Sequence, residues 1–227
     1  MLSLVRHVSS TSAFSMHNLQ KILQSGVAKG AGTGLLPGTT SQNQPRYFWQ
    51  WVCTVFNKVS RERIEEVGPD RACAEWLLRN GAMVQWVGKS DFVTDYNALP
   101  LRGAEKGRYL IKAVDATDSS IMAIGFPHFK GCHHIDKIIM KNCKYIDDEA
   151  LHMLSVLEAS LKTLEISSCF NLTSEGVSSL TALRNLKRLK LEALPEVKNK
   201  IEVTGILKSA LPNCNITFDE SQEVKNL

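Results

Sequence analysis

Between residues 135 and 197 the chain repeats one spacing of apolar side chains, and that repetition limits its fold more than any other feature. Ile135, Ile138, Met140, Cys143 and Ile146 are matched 26 residues later by Leu161, Leu164, Ile166, Cys169 and Leu172. After 25 more residues Leu186, Leu189, Leu191, Leu194 and Val197 take the same places, with leucine where cysteine stood. A period of about 20–29 residues with the pattern L-x-x-L-x-L-x-x-C-x-x-L is the leucine-rich-repeat signature, one short strand and one helical return per copy. The pair Leu164 and Ile166 sits at period-2 spacing, so both side chains share one strand face. The second halves agree: Asp147-Asp148-Glu149 and Thr173-Ser174-Glu175 are helix-start chemistry. Leu151, Leu154 and Leu157, then Val177, Leu180 and Leu183, follow at helical spacing. The expected fold class is α/β, a short leucine-rich-repeat solenoid of parallel strands with helical returns, capped by an N-terminal helical domain.

One copy cannot bury its apolar face alone, so copies stack and their ends need covers. Residues 108–218 form the predicted repeat domain and 47–107 its helical cap; 219–227 are a polar tail. Tyr109, Val114 and Thr117 lie 26 residues before Ile135, Met140 and Cys143, which predicts an imperfect first copy. In the cap, Phe48, Trp51, Val52, Val55, Phe56 and Val59 make one helical stripe, with Gln50, Thr54, Asn57 and Lys58 facing away. Such a stripe suits either packing on the protein's own domain or a membrane or partner surface. Gly68-Pro69-Asp70 opens a second helix and Asn80-Gly81 closes it. Residues 82–87 read as a strand and 88–107 as a mostly irregular connection. Ile201, Val203, Ile206, Leu207 and Leu211 suggest a closing helix, followed by a last strand alternating Cys214, Ile216 and Phe218.

Charge sorts the chain into two parts. The net +4 resides in residues 1–46, which hold Arg6, Lys21, Lys29 and Arg46 and no carboxylate before Glu62. The remaining 23 Lys and Arg face 23 Asp and Glu, so the body carries no phosphate-binding excess and nucleic acid is not an expected partner. A basic, Ser/Thr-rich, acid-free leader is the composition of a mitochondrial transit peptide, a composition that a disordered tail shares. The six cysteines show no C-x-x-C pair, and Cys143 and Cys169 read as packed core thiols.

No catalytic constellation stands out, and no enzymatic activity or small-molecule substrate is expected. His133 and His134 are adjacent and cannot share a helix face, His128 and Asp115 lack a nucleophile beside them, and no phosphate-binding glycine motif is present. What remains is the outward strand face. Stacking predicts columns Lys137/Thr163/Arg188, Ile139/Glu165/Lys190 and Lys141/Ser167/Glu192, mixed charge with one exposed isoleucine, suited to a protein partner.

Further motifs carry a resemblance. Tyr47-Phe48-Trp49-Gln50-Trp51, Val67-Gly68-Pro69-Asp70-Arg71-Ala72, Glu75-Trp76-Leu77-Leu78-Arg79 and Asp95-Tyr96-Asn97 with Leu99-Pro100 all contribute. With Asp115-Ala116-Thr117-Asp118-Ser119 and the repeats, they resemble the ATP synthase subunit s (coupling factor B) family over roughly residues 46–218. The resemblance implies a peripheral protein on the matrix side of the mitochondrial inner membrane that binds ATP synthase subunits and supports energy coupling and proton transport. A similar family assembles the membrane arm of respiratory complex I, which is the alternative role. The resemblance also implies a Mg2+ ion on backbone oxygens, at Gly68 and at Leu101, where the family usually has threonine. The family's C-x-C thiol pair is reduced here to Cys143, with Lys141 in the first position. A reading from another class is a thiol redox protein using Cys143 and Cys169. A cytosolic adaptor similar to F-box repeat proteins is a third, although no convincing F-box precedes the repeats.

Overall fold

The computed structural model describes residues 44–99 and 107–219. The predicted leader, apart from its last three residues, the tail beyond Asp219 and Leu101 lie outside them. Three helices open the described chain: α1 Gln44–Asn57, α2 Arg61–Val67 and α3 Pro69–Arg79. The strands are β1 Met83–Trp86, β2 Phe92–Val93, β3 Ile111–Asp115, β4 Lys137–Lys141, β5 Thr163–Ser167, β6 Arg188–Glu192 and β7 Asn215–Phe218. They form one sheet in the order β2-β1-β3-β4-β5-β6-β7. β1 runs antiparallel to β2 and β3, and every pairing from β3 to β7 is parallel. The protein is thus mixed α/β with a mostly parallel seven-stranded sheet among the described residues.

Each parallel crossover returns through helix. After β4 come α4 Asp148–Met153 and a 3-10 turn Leu154–Leu157; after β5, α5 Ser174–Ser179 and a 3-10 turn Leu180–Ala182; after β6, α6 Lys200–Ala210. Helices of six residues do not persist alone in water, so packing holds them. α4 lies against α5 and α5 against α6, a second layer behind the sheet. The predicted caps are in place: Asp147 accepts from the Ala150 N–H and Thr173 from the Glu175 N–H. Asp148 links the two returns, taking the Thr173 N–H at 2.8 Å and hydroxyl at 2.6 Å. Gly176 lets it do so, because a Cβ there would overlap the Asp148 carboxylate.

The repeated apolar positions all point inward. Leu161, Leu164, Ile166, Cys169 and Leu172 are fully buried, as are Leu189, Leu191 and Leu194, and one continuous cluster of buried side chains runs from Cys73 to Leu211. Burying a Leu or Ile contributes about 1.5–3 kcal/mol, which favours this register over any slip that would turn these rows outward.

The structure corrects several expectations. The first copy pairs at an offset of 24, Ala113 with Lys137 and Val114 with Ile138, not at 26. Its pattern is Ile111, Val114, Ala116, Ser119 and Met122, with a 3-10 return Ala123–Phe129. The segment read as an irregular connection contains β2 and a 3-10 turn Tyr96–Ala98, and α2 had no expected counterpart.

The largest correction concerns α1. Trp51 and Val55 of the apolar stripe are 53% and 42% exposed, while Cys53 and Asn57 are wholly buried. Asn57, expected to face away, donates to Cys53 O, Asn80 Oδ1 and Ser120 O and accepts from Trp76 Nε1 and the Met122 N–H. The amide side chain ties α1 to α3 and to the first copy, and it sets the helix face.

At the other end α6 buries Val203 and Leu207, but Ile201 and Ile206 are exposed. Ile216 and Phe218 of β7 are half-buried, on the last strand of the sheet.

Candidate interaction surface

The register assembles the three predicted columns. Lys137 pairs with Thr163 and Thr163 with Arg188; Ile139 with Glu165 and Lys190; Lys141 with Ser167 and Glu192. Parallel pairing in fixed register does this, because alternate strand residues face outward and neighbouring strands lie about 4.8 Å apart. Two ion pairs lie within the face, Lys137 Nζ to Glu165 at 3.1 Å and Lys190 Nζ to Glu192 at 2.7 Å. Both are solvent-screened surface pairs, so they organise the face more than they stabilise the fold. Ile139 is half-buried between Asp115 and Glu165 rather than exposed.

Strands β3–β6 end in the same device. Asp118, Asn142, Ser168 and Ala193 have φ of 58°, 54°, 54° and 47°, the left-handed region that Asp and Asn tolerate best. This bend aims a backbone N–H at the next copy: Asp118 donates to Lys141 O, Asn142 to Ser167 O and Ser168 to Glu192 O. The residue after the bend turns inward. Cys143 Sγ donates to Ala116 O at 3.0 Å and Cys169 Sγ approaches Met140 O at 3.7 Å, both in the preceding copy. Ser119 holds the equivalent place in the first copy, its hydroxyl 3.8 Å from Cys143 Sγ. Contact with Cys169, together with burial, pushes the Cys143 thiol up. The same contact draws Cys169 down, yet both thiols are fully buried, and a reactive cysteine needs access as well as a thiolate.

Ionisable groups are also buried behind the face. Glu75, 1% exposed, receives Arg63 Nη2 at 2.6 Å and Arg71 Nε at 2.9 Å, with Arg79 Nη2 at 3.3 Å. Burial pushes its carboxyl up, but the Arg63 and Arg71 bonds outweigh this and hold it below the usual range. His128 stacks on Trp76, ring centroids 5.0 Å apart, with Nδ1 2.8 Å from Gly125 O. Burial lowers its pKa from the ordinary 6.5, the Gly125 carbonyl opposing and Arg79 assisting.

Both shifts give one sign. The folded state holds a proton on His128 less readily than the unfolded chain, which takes one up near pH 6.5, so stability falls as pH drops through that range. Glu75 adds a second loss below about pH 4.5. Asp70, raised by burial, runs the opposite way in that acid range. The melting temperature is therefore expected to fall from pH 7.5 to 5.5, and His128→Phe, which keeps the stack on Trp76, is expected to flatten that slope. An unchanged slope in the variant would refute the assignment.

His128 does not meet Asp115, which accepts instead from the Thr117 N–H and hydroxyl, and His133 and His134 are exposed. Among the described residues no three His, Cys, Asp or Glu cluster as metal ligands. Gly68, at φ 86° between α2 and α3, uses its carbonyl to accept the Ala72 N–H at 3.1 Å. Leu101 lies outside the described residues. Sequence reasoning missed Ser119, Asn57 and Glu75. Only Ser119 had a sequence signal, the spacing Ile111-x-x-Val114-x-Ala116-x-x-Ser119-x-x-Met122.

These features define a class: an α/β protein of repeated strand-and-return units presenting ordered columns of polar side chains on its sheet. No family model matches the sequence. The chain is 50% identical over 177 residues to the protein named ATP synthase subunit s, mitochondrial, of Mus musculus, covering 77% of this chain and 88% of that one. It is 49% identical over 174 residues to the Homo sapiens protein of that name, covering 75% and 86%. With that of Bos taurus it shares 48% over 177 residues, covering 77% and 88%. The chain belongs to the ATP synthase subunit s family.

Proposed function

We propose that this protein is a non-enzymatic mitochondrial binding module that associates with ATP synthase on the matrix side of the inner membrane and supports energy coupling and proton transport. The observation that carries the reading is the identity, near half over most of the chain, to relatives named as mitochondrial ATP synthase subunit s. The repeated units form a short leucine-rich-repeat solenoid capped by α1–α3, and its columns dock onto the complex. No helix among the described residues is long and apolar enough to cross a membrane, and the proposed association is peripheral. Residues 1–46 act as the transit peptide; a fluorescent fusion of residues 1–50 found in the cytosol would exclude this.

The test is recovery of the tagged protein from mitochondria. ATP synthase subunits are expected with it, and recovery of complex I assembly intermediates alone would replace the reading with the assembly role. Cys143→Ser with Cys169→Ser is expected to leave recovery unchanged, since both thiols act as packing groups; loss of function with an intact fold would favour the redox reading.

Of the two backbone oxygens that the resemblance implies for a magnesium ion, the Gly68 carbonyl lies among the described residues and already accepts one N–H. Mg2+ takes six oxygens and keeps several waters, so an ion there would be held mainly by solvent and by groups beyond Gly68. A melting temperature unmoved by millimolar magnesium would remove it.

A further inference from the structure

The sheet is polarised along its strands, from its N-terminal edge to its C-terminal edge. At the N-terminal ends of β3–β6, ladder bonds join Lys112 O to the Asp136 N–H, Asp136 O to the Lys162 N–H and Lys162 O to the Lys187 N–H, placing those residues in one row. The next row is Ala113, Lys137, Thr163 and Arg188. Together these rows set Lys112, Lys137, Lys162, Lys187 and Arg188 against Asp136 alone. At the C-terminal ends the balance reverses, with Asp115, Asp118, Glu165 and Glu192 against Lys141 and Lys190.

Lys137 leans away to Glu165, yet Lys112, Lys162, Lys187 and Arg188 are exposed and enter no ion pair among the described residues. Like charges held in register repel one another, and a folded protein gains nothing from collecting them on one edge. They attract an anionic partner strongly, however, and raise its rate of encounter.

We propose that the N-terminal ends of β3–β6 are a docking surface for an acidic α-helix of a protein partner, lying across the strands. This deepens the binding role proposed above by naming the surface and the partner's chemistry. Geometry selects the helix: strands are spaced about 4.8 Å apart, while carboxylates three or four residues apart on a helix lie about 5–6 Å apart. Helix positions facing β3, β5 and β6 then meet Lys112, Lys162 and Lys187, while the one facing β4 meets Asp136 and the Glu165-bound Lys137. In an extended segment, side chains on one face repeat at about 6.6 Å and lose register within two strands. Charge selects a slender partner over an anionic bilayer. A flat surface would also meet the acidic ends of the same strands, and these rows carry no exposed apolar side chain to enter a lipid layer.

Two fluorescent peptides of one composition test this with the full chain. One places glutamates at i, i+7 and i+11 on a single helix face, to meet β3, β5 and β6, and the other scrambles them. The first is expected to bind at least about tenfold more tightly, and to lose that affinity in 0.5 M salt and in K112E/K162E/K187E. Circular dichroism melts of the variant should be unchanged, since all three side chains are exposed. Equal binding of the two peptides, binding unaffected by the reversal, or a preference for cardiolipin vesicles over the helical peptide would overturn the proposal. In the mitochondrial recovery experiment, wild type failing to recover ATP synthase would defeat the functional reading. Wild type succeeding and K112E/K162E/K187E recovering as much would defeat this one alone.

Discussion

Asn57→Ala is expected to destabilise the fold by about 4 kcal/mol, because the amide leaves four buried partners behind and each unsatisfied group costs about 1–3 kcal/mol. The partners are the Asn80 amide oxygen, the Ser120 carbonyl, the Trp76 indole N–H and the Met122 N–H. They lie on α3, at its C-cap and in the first copy, so the loss falls on the junction between the helices and the sheet. Urea unfolding followed by tryptophan emission should show a lower midpoint, while Lys58→Ala, one residue away and exposed, leaves it unmoved. Equal midpoints for the two variants would show that Asn57 is not the junction.

Gly125→Ala is the second large effect, about 3 kcal/mol, at the upper end of the range for forcing a methyl into a filled core. An added Cβ would lie 2.5 Å from Cε2 and 2.6 Å from Cζ2 of Trp76. The indole has no room to retreat. Its N–H is bonded to Asn57, His128 stacks on its face, and Phe126 and Phe129 meet it edge-on with centroids 6.1 Å and 5.3 Å away. Calorimetry should show the melting temperature lowered by roughly 8 °C for a domain of this size. A variant melting within a degree of wild type would mean the return moves aside freely.

The parts of this fold that were legible in the sequence are those set by apolar periodicity. Leu164 with Ile166 and Leu189 with Leu191 sit in a sheet whose register follows from burying them, and the outward columns come with that register. The first copy was misplaced because Ala116 and Ser119 stand where the others have large apolar side chains or cysteine, and small or polar residues give a weak periodic signal. The rotation of α1 was read wrongly for a different reason. A stripe rule assigns the buried face by apolar area, and here the hydrogen bonds of one amide outweigh the burial of Trp51 and Val55. Glu75 was hidden because Arg71 and Arg79, each four residues away, look like ordinary exposed helix pairs until Arg63 arrives from α2. The columns were visible in the sequence, whereas the imbalance of charge along them required the first copy's true register, which brings Lys112 into line.

The bend that closes each of β3–β6 gives the array a direction of unravelling. A left-handed residue hands its N–H forward to the next copy while the thiol after it reaches back to the preceding one, so an interior unit is held from both sides. Each unit then behaves as a link coupled chiefly to its neighbours. At one end the chain is anchored by antiparallel β1 and by the Asn57 junction; at the other, β7 has a partner on one side only among the described residues. Opening should begin at β7 and travel toward β4, with the amides of Asn215 and Asp219 exchanging with deuterium well before those of Asp136 and Lys162. The molecule is in this sense a ratchet clamped at its first tooth, and its C-terminal units are the ones free to rearrange without loosening the rest.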